Sequence, residues 1–266
     1  MGENVRFVLR WAGGTAEDLP STVVAKFPSD DPVSRATGLA TRSYEREVAF
    51  YREVADTVDI RTPRCFYADV DLASGDFVLI LEDLAPRQQG DQLQGCSIAE
   101  AEVVIDQLVA LQAPRWNDPT LDAVDWLSRR DQPSIDATSG LYRMVLTGFA
   151  AQIGPLMDTE HVAVAQSLGD NIDRWMNVPE GPATVTHGDY RLDNMLFDDA
   201  VGLAVVDWQG PGHGSPWHDL AYFMGTGLLP EVRASCEADI VGRYVRGLVS
   251  SGVEVSFVEA WFGYRR

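Results

Sequence analysis

Hydrophobic positions follow two different periods along the chain. Near the N-terminus, Val5 to Trp11 and Thr22 to Phe27 are rich in β-branched and aromatic residues and predict strands, with Gly13-Gly14 in the turn region between them. A Pro- and Asp-rich connection follows (Pro28, Asp30, Asp31, Pro32). Tyr44, Val48, Tyr51, Ala55 and Val58 then recur at helical spacing and predict one helix over Ser43 to Val58. Cys65 to Val70 and Phe77 to Leu81 predict a hairpin around Ser74-Gly75.

Beyond the polar stretch from Glu82 to Gly95 the period becomes helical. Ser97-Ile98-Ala99-Glu100 predicts a capping box, followed by Ala101, Val104, Ile105, Leu108 and Val109 on one face. Further helices are predicted over Leu141 to Met157, Glu160 to Met176, Asp219 to Leu228 and Glu231 to Val249, interrupted by a β-like block from Ala183 to Trp208. The outline is an α+β chain of two lobes, β-rich over residues 1–84 and helical over 85–266, and 266 residues suffice for both.

Composition narrows the function classes. A chain that is 45% hydrophobic and 23% charged is globular, and a net charge of −19 opposes binding to nucleic acid or to an anionic membrane. The same charge favours a cationic ligand or simply serves solubility. No run of about 18 apolar residues and no signal pattern occurs, and Cys65, Cys96 and Cys236 are too few and too scattered for a disulfide framework or a zinc knuckle. These features predict a cytoplasmic protein. Lys26 is the only lysine among 21 basic residues, and it sits in an apolar, strand-like setting where Arg's planar fork is no substitute for its compact charge.

The chemistry concentrates in Thr186-His187-Gly188-Asp189-Tyr190-Arg191-Leu192-Asp193-Asn194, followed by apolar Met195-Leu196-Phe197, a turn at Asp198-Asp199, and Leu203 to Asp207-Trp208. Asp189 and Asn194 are 5 positions apart and Asp207 lies 13 beyond Asn194. A hairpin between the latter two returns the chain to its start and brings Asn194 and Asp207 together as hard oxygen ligands suited to Mg²⁺. Asp189, in the loop before them, is placed to accept a proton from a hydroxyl. Each residue alone is a common turn former; the conjunction is far rarer.

The Asp, four residues, Asn, then Asp arrangement follows the protein-kinase pattern. With His187-Gly188-Asp189, Asp207-Trp208-Gln209 and Pro216 to Ala221, the chain resembles the aminoglycoside phosphotransferase and choline-kinase-like superfamily, closest to its ecdysteroid-kinase-like and bacterial phosphotransferase branches. The resemblance runs from about Val5 to Val249. It implies a protein-kinase-like fold and an ATP- and Mg²⁺-dependent transfer of phosphate to a hydroxyl of a small molecule bound in the helical lobe, where abundant carboxylates and tryptophans would suit a cationic or hydrophobic acceptor. It implies Asp189 as catalytic base, Asn194 and Asp207 as holders of Mg²⁺, Lys26 on the nucleotide phosphates with a helix Glu beside it, and Asp219 as a brace of the catalytic loop. His187 would shape the loop. Helix geometry selects Glu47, which falls with Tyr44, Val48 and Tyr51 on the inward face, over Glu45 on the solvated side. The backbone of Glu82 and Leu84 would meet the adenine edge, with Leu81 behind it.

Against the family pattern, the first strand and its phosphate-covering loop are absent ahead of Val5, which predicts impaired nucleotide binding or a fragment. Two other readings stay open: a nucleotide-binding pseudo-enzyme, and a metal-dependent hydrolase using His187, Asp189, His213 and His218. Trp116, Trp126 and Trp175 are candidates for an acceptor site or for the core.

Overall fold

The computed structural model describes residues 2–12, 19–127, 129, 131–177 and 181–266. The Gly13-Gly14 turn lies outside the described residues. By its contacts the chain forms two compact units, Met1–Ser128 with Pro182–Arg266, and Arg129–Gly181.

The first unit opens with β1 (Gly2–Val8) and β2 (Thr22–Pro28). Strand β1 thus starts and stops three residues earlier than the apolar run suggests, because its register against β2 runs from Gly2 opposite Pro28 to Val8 opposite Thr22. The Pro- and Asp-rich connection is not a loop. It forms α1 (Pro32–Ala40), in which Asp31 caps the Ser34 amide and Pro32 takes the first turn, where its missing N–H costs nothing. Helix α2 (Ser43–Ala49) continues as a π-helical turn over Phe50–Val54 and a 3₁₀ turn over Ala55–Thr57, so the single helix predicted to Val58 is three helical geometries in series.

Strands β3 (Cys65–Val70) and β4 (Phe77–Glu82) complete an antiparallel sheet of order β1-β2-β4-β3. Burial alternates along β4, with Phe77, Leu79 and Leu81 buried, so one face of the strand joins the core residues of α2. The opposite face of β2 differs. Val23, Ala25 and Phe27 line an apolar groove of about 570 Å³ with Phe7, Phe66 and Ile80, while the pleat turns Lys26 away from it.

After the short β5 (Gln88–Gln89), Ser97 and Glu100 close their capping box on α3 (Ile98–Gln112). The second unit is a helix pair, α4 (Gln132–Gln152) and α5 (Thr159–Met176), with a small core of Ile135, Ile172 and Met176 against Tyr142. Helix α4 begins nine residues before the predicted start because Asp131 and Ser134 cap a polar first turn that carries no apolar stripe.

The chain returns to the first unit through β6 (Thr184–Thr186), β7 (Met195–Phe197), β8 (Ala204–Val205) and β9 (Gly212–Gly214). It closes with α6 (Pro216–Thr226), α7 (Pro230–Ser250) and α8 (Phe257–Tyr264). Gln112 ties α3 to this half: its amide donates to the Pro216 carbonyl at 3.2 Å and accepts from the Tyr244 hydroxyl at 2.5 Å, all buried. Among the described residues no helix is long and apolar enough to cross a membrane.

Candidate active site

The hairpin predicted between Asn194 and Asp207 is the β7–β8 pair, with Met195 opposite Val205 and Leu196 opposite Ala204. The Val206 amide donates to the Asn194 carbonyl at 2.9 Å, which sets Asp207 beside Asn194 at the open end. Asp207 itself has φ 66°, a left-handed conformation uncommon for a residue other than glycine and concentrated at functional sites.

Lys26 is only 6% exposed, and its Nζ lies 2.7 Å from Glu47 Oε1 and 2.7 Å from Asp207 Oδ1. Burial alone would pull the ammonium pKa down, but the two carboxylates outweigh it and hold Lys26 charged. Burial likewise pushes Asp207 up, and Lys26 reverses it, leaving the carboxyl below its ordinary value. Glu45, on the other side of α2, pairs with Arg42 instead.

Asp189 follows β6 in a loop whose shape is imposed by Asp219. The Asp219 carboxylate is fully buried on α6 and accepts the His187 amide at 2.7 Å and the Gly188 amide at 2.9 Å. Gly188 sits at φ +80°, and a Cβ there would come within 2.2 Å of the Gly210 carbonyl oxygen, so only glycine fits. His187 is buried, with burial lowering its pKa, and is therefore neutral. Its Nδ1 accepts the Asp189 amide at 3.2 Å, so Nε2 carries the hydrogen and donates to the Val206 carbonyl at 3.1 Å. Both ring nitrogens are committed, which leaves His187 no lone pair for a metal. Among the described residues no group of three or more His, Cys, Asp or Glu side chains forms a metal site, so the hydrolase reading finds no support in this geometry.

Asp189 Oδ2 accepts from Asn194 Nδ2 at 2.9 Å and from Arg191 Nε at 3.1 Å. Asn194 Nδ2 also reaches the Asp189 carbonyl at 2.9 Å. With its amide nitrogen engaged twice, Asn194 keeps its side-chain oxygen for another partner, and Asp207 keeps its second carboxylate oxygen. Two protein oxygens at the open end of the β7–β8 hairpin are of the kind that suits Mg²⁺, which holds several waters and shares phosphate oxygens.

Glu82 closes β4 opposite Val23, and its side chain turns back to Arg61 at 2.6 Å and the Arg64 amide at 3.0 Å. Leu84 is buried and its carbonyl accepts the Arg87 amide at 3.1 Å. Trp126 belongs to the core, its indole N–H donating to Glu53 at 2.7 Å. Trp116 packs partly buried against the same core, and Trp175 is 44% exposed.

One residue and one contact escaped the sequence reading. Tyr222, one turn beyond Asp219 on the same helix, lies close enough to Asp189 to feel its charge; burial and that carboxylate hold its pKa above the ordinary value. Trp208 lies flat on Phe50, ring centroids 3.9 Å apart and 3° from parallel. The i,i+3 spacing from Asp219 was the available signal for Tyr222.

Comparison with known proteins bears on the family and the fold. The model of the phosphotransferase enzyme family (APH) matches residues 11–246. Acyl-CoA dehydrogenase family member 10 of Mus musculus is 49% identical over 41 residues, a match covering 15% of this chain and 4% of that protein. Three solved structures share the fold. Aminoglycoside-3′-phosphotransferase of type VIII is 20% identical with TM-score 0.53, over 92% of this chain and 83% of that one. The GDP complex of wild-type aminoglycoside 2′-phosphotransferase-IIIa is 15% identical with TM-score 0.53, over 91% and 74%. A macrolide 2′-phosphotransferase from Brachybacterium faecium is 16% identical with TM-score 0.50, over 91% and 73%. With a family match over most of its length and a protein-kinase-like α+β fold around these residues, the chain belongs to the phosphotransferase enzyme family.

Proposed function

We propose that this protein is a small-molecule kinase that transfers the γ-phosphate of ATP to an acceptor hydroxyl with Mg²⁺. The observation that carries the reading is the Lys26 ammonium held at 2.7 Å from both Glu47 and Asp207, next to the Asp189–Asn194 pair. Residues 1–84 would hold the nucleotide, with the backbone of Glu82 and Leu84 on the adenine edge, and 85–266 the catalytic loop and acceptor. Asn194 and Asp207 would hold the cation, which supplies charge neutralisation between the phosphates.

Each protein group then has a definite task. Lys26, fixed by Glu47, meets the α- and β-phosphates. Asp189, with Oδ2 fixed by Asn194 and Arg191, turns Oδ1 to the acceptor hydroxyl and takes its proton as the oxygen attacks in line. The acceptor is a hydroxyl-bearing small molecule of cationic or hydrophobic character, in keeping with the net charge of −19 and with aminoglycoside and macrolide phosphotransferases among the proteins of this fold.

The test is calorimetric titration with ATP, with and without Mg²⁺, followed by an acceptor screen reading ADP release. Mg²⁺-dependent binding lost in Asp207→Asn, with turnover reduced about 10²- to 10⁴-fold in Asp189→Asn, supports the reading. Tight ATP binding with no transfer to any hydroxyl would instead identify a nucleotide-binding pseudo-enzyme.

A further inference from the structure

The two residues after Asp207 both reach the helix that carries Glu47. Trp208 stacks on Phe50, one turn beyond Glu47. Glu47 is 1% exposed and gives Oε1 to Lys26; its second oxygen, Oε2, is buried with no hydrogen-bond partner. The Gln209 amide nitrogen, Nε2, is likewise buried and unpartnered. Leaving a buried carboxylate oxygen and a buried donor both unmet is costly in a dry interior. Burial pushes the Glu47 carboxyl up, while Lys26 and the facing Gln209 amide pull it the other way.

We propose that Gln209 is a positioning residue whose amide is the second hydrogen-bond donor to the Glu47 carboxylate. Asp207, through Lys26, and Gln209 both bear on Glu47, while Trp208 between them packs on Phe50 one turn further along. A neutral donor is what the site requires. A glutamate at 209 sets two carboxylates face to face, and an aliphatic side chain leaves Oε2 unmet. The Gln209 contact keeps Glu47 aimed at Lys26; its effect on nucleotide binding rests on the kinase reading above, while its effect on Lys26 does not.

Because Lys26 is the only lysine, protein labelled with ¹³C-lysine gives a single side-chain Cε resonance. Gln209→Met should shift and broaden that resonance and raise the Kd for Mg²⁺·ATP about tenfold. Gln209→Ala, which introduces no new bulk, gives a second reading of the same resonance if the methionine variant fails to fold. Exchanging the groups, Glu47→Gln with Gln209→Glu, should restore a sharp line and recover affinity lost in Gln209→Glu alone, which a packing role does not allow. A Lys26 resonance unmoved in the folded Gln209 variants, or an exchange no better than the single variant, overturns the proposal. Wild-type protein that binds no ATP overturns the kinase reading instead, and the Lys26 resonance alone then decides the role of Gln209.

Discussion

Lys26 and Asp207 lie 181 positions apart in the chain and 2.7 Å apart in the structure. Glu47 completes the cluster from the other side, so one buried cation compensates two carboxylates. Removing the cation strands Glu47, whose side chain is 1% exposed against 41% for Asp207. Lys26→Met is expected to lower unfolding free energy by about 3–5 kcal/mol in urea denaturation, and Lys26→Met with Glu47→Gln by clearly less, since no charge is then buried alone at position 47. Equal losses in the two variants would mean that the pair is not coupled.

Asp219 holds the His187–Asp189 loop by two backbone amides rather than by side chains. Asp219→Ala leaves both N–H groups buried without acceptors and should cost about 2–4 kcal/mol, while Asp219→Asn, which keeps one acceptor oxygen, should cost less. Thermal unfolding of the two variants separates them.

Gly188 and Gly202 share a left-handed backbone, at φ +80° and +74°, but only Gly188 faces a wall. Gly202→Ala should cost about 1–2 kcal/mol, the ordinary penalty of that conformation. Gly188→Ala meets the Gly210 carbonyl as well and should cost more than about 3 kcal/mol or prevent folding. Similar stabilities for the two would show that the loop at Gly210 yields easily.

His187 refuses a proton that the unfolded chain accepts near pH 6.5. With the folded value depressed, the unfolded state binds more protons below that pH, so stability is full above it and falls as the solution is acidified. His187→Asn should flatten the dependence of Tm on pH between about 7 and 5.5 relative to wild type. An unchanged slope would assign the acid sensitivity to other groups.

Tyr222→Phe removes a hydroxyl from Asp189 without shortening the ring. Once an acceptor is known, kcat should fall about tenfold with Tm nearly unchanged, because a hydroxyl beside the Asp189 carboxylate is lost at a half-buried position. A Tyr222→Phe enzyme as fast as wild type would confine Tyr222 to packing.

Much of this was legible where a local rule fixes the outcome. The apolar runs on either side of Asp198-Asp199 could pair in only one way that kept Met195 and Val205 facing, and the inward stripe of α2 separates Glu47 from Glu45. The capping box at Ser97 and Glu100 formed as read. What was not legible depends on tertiary partners. The π-helical turn at Phe50 carries no local signature, and it is Phe50 that lies on Trp208, 158 positions later. Pro32 and Asp31 read as loop formers, yet both are good helix starters once a helix follows. A glutamine after Asp-Trp says nothing of a buried carboxylate until the fold sets Glu47 in front of it.

The reach from Lys26 to Asp207 also imposes an order on the making of the protein. At about 5–20 residues per second, roughly 10 to 40 s of synthesis separate the 181-residue span between the two side chains. Strand β2 and helix α2 leave the ribosome early, with Lys26 matched to Glu47 alone and the core face of the sheet waiting for the C-terminal half. A nascent chain arrested before Asp207 would therefore expose that face to chaperones and proteases, and its protection should arrive abruptly once the β7–β8 hairpin has emerged.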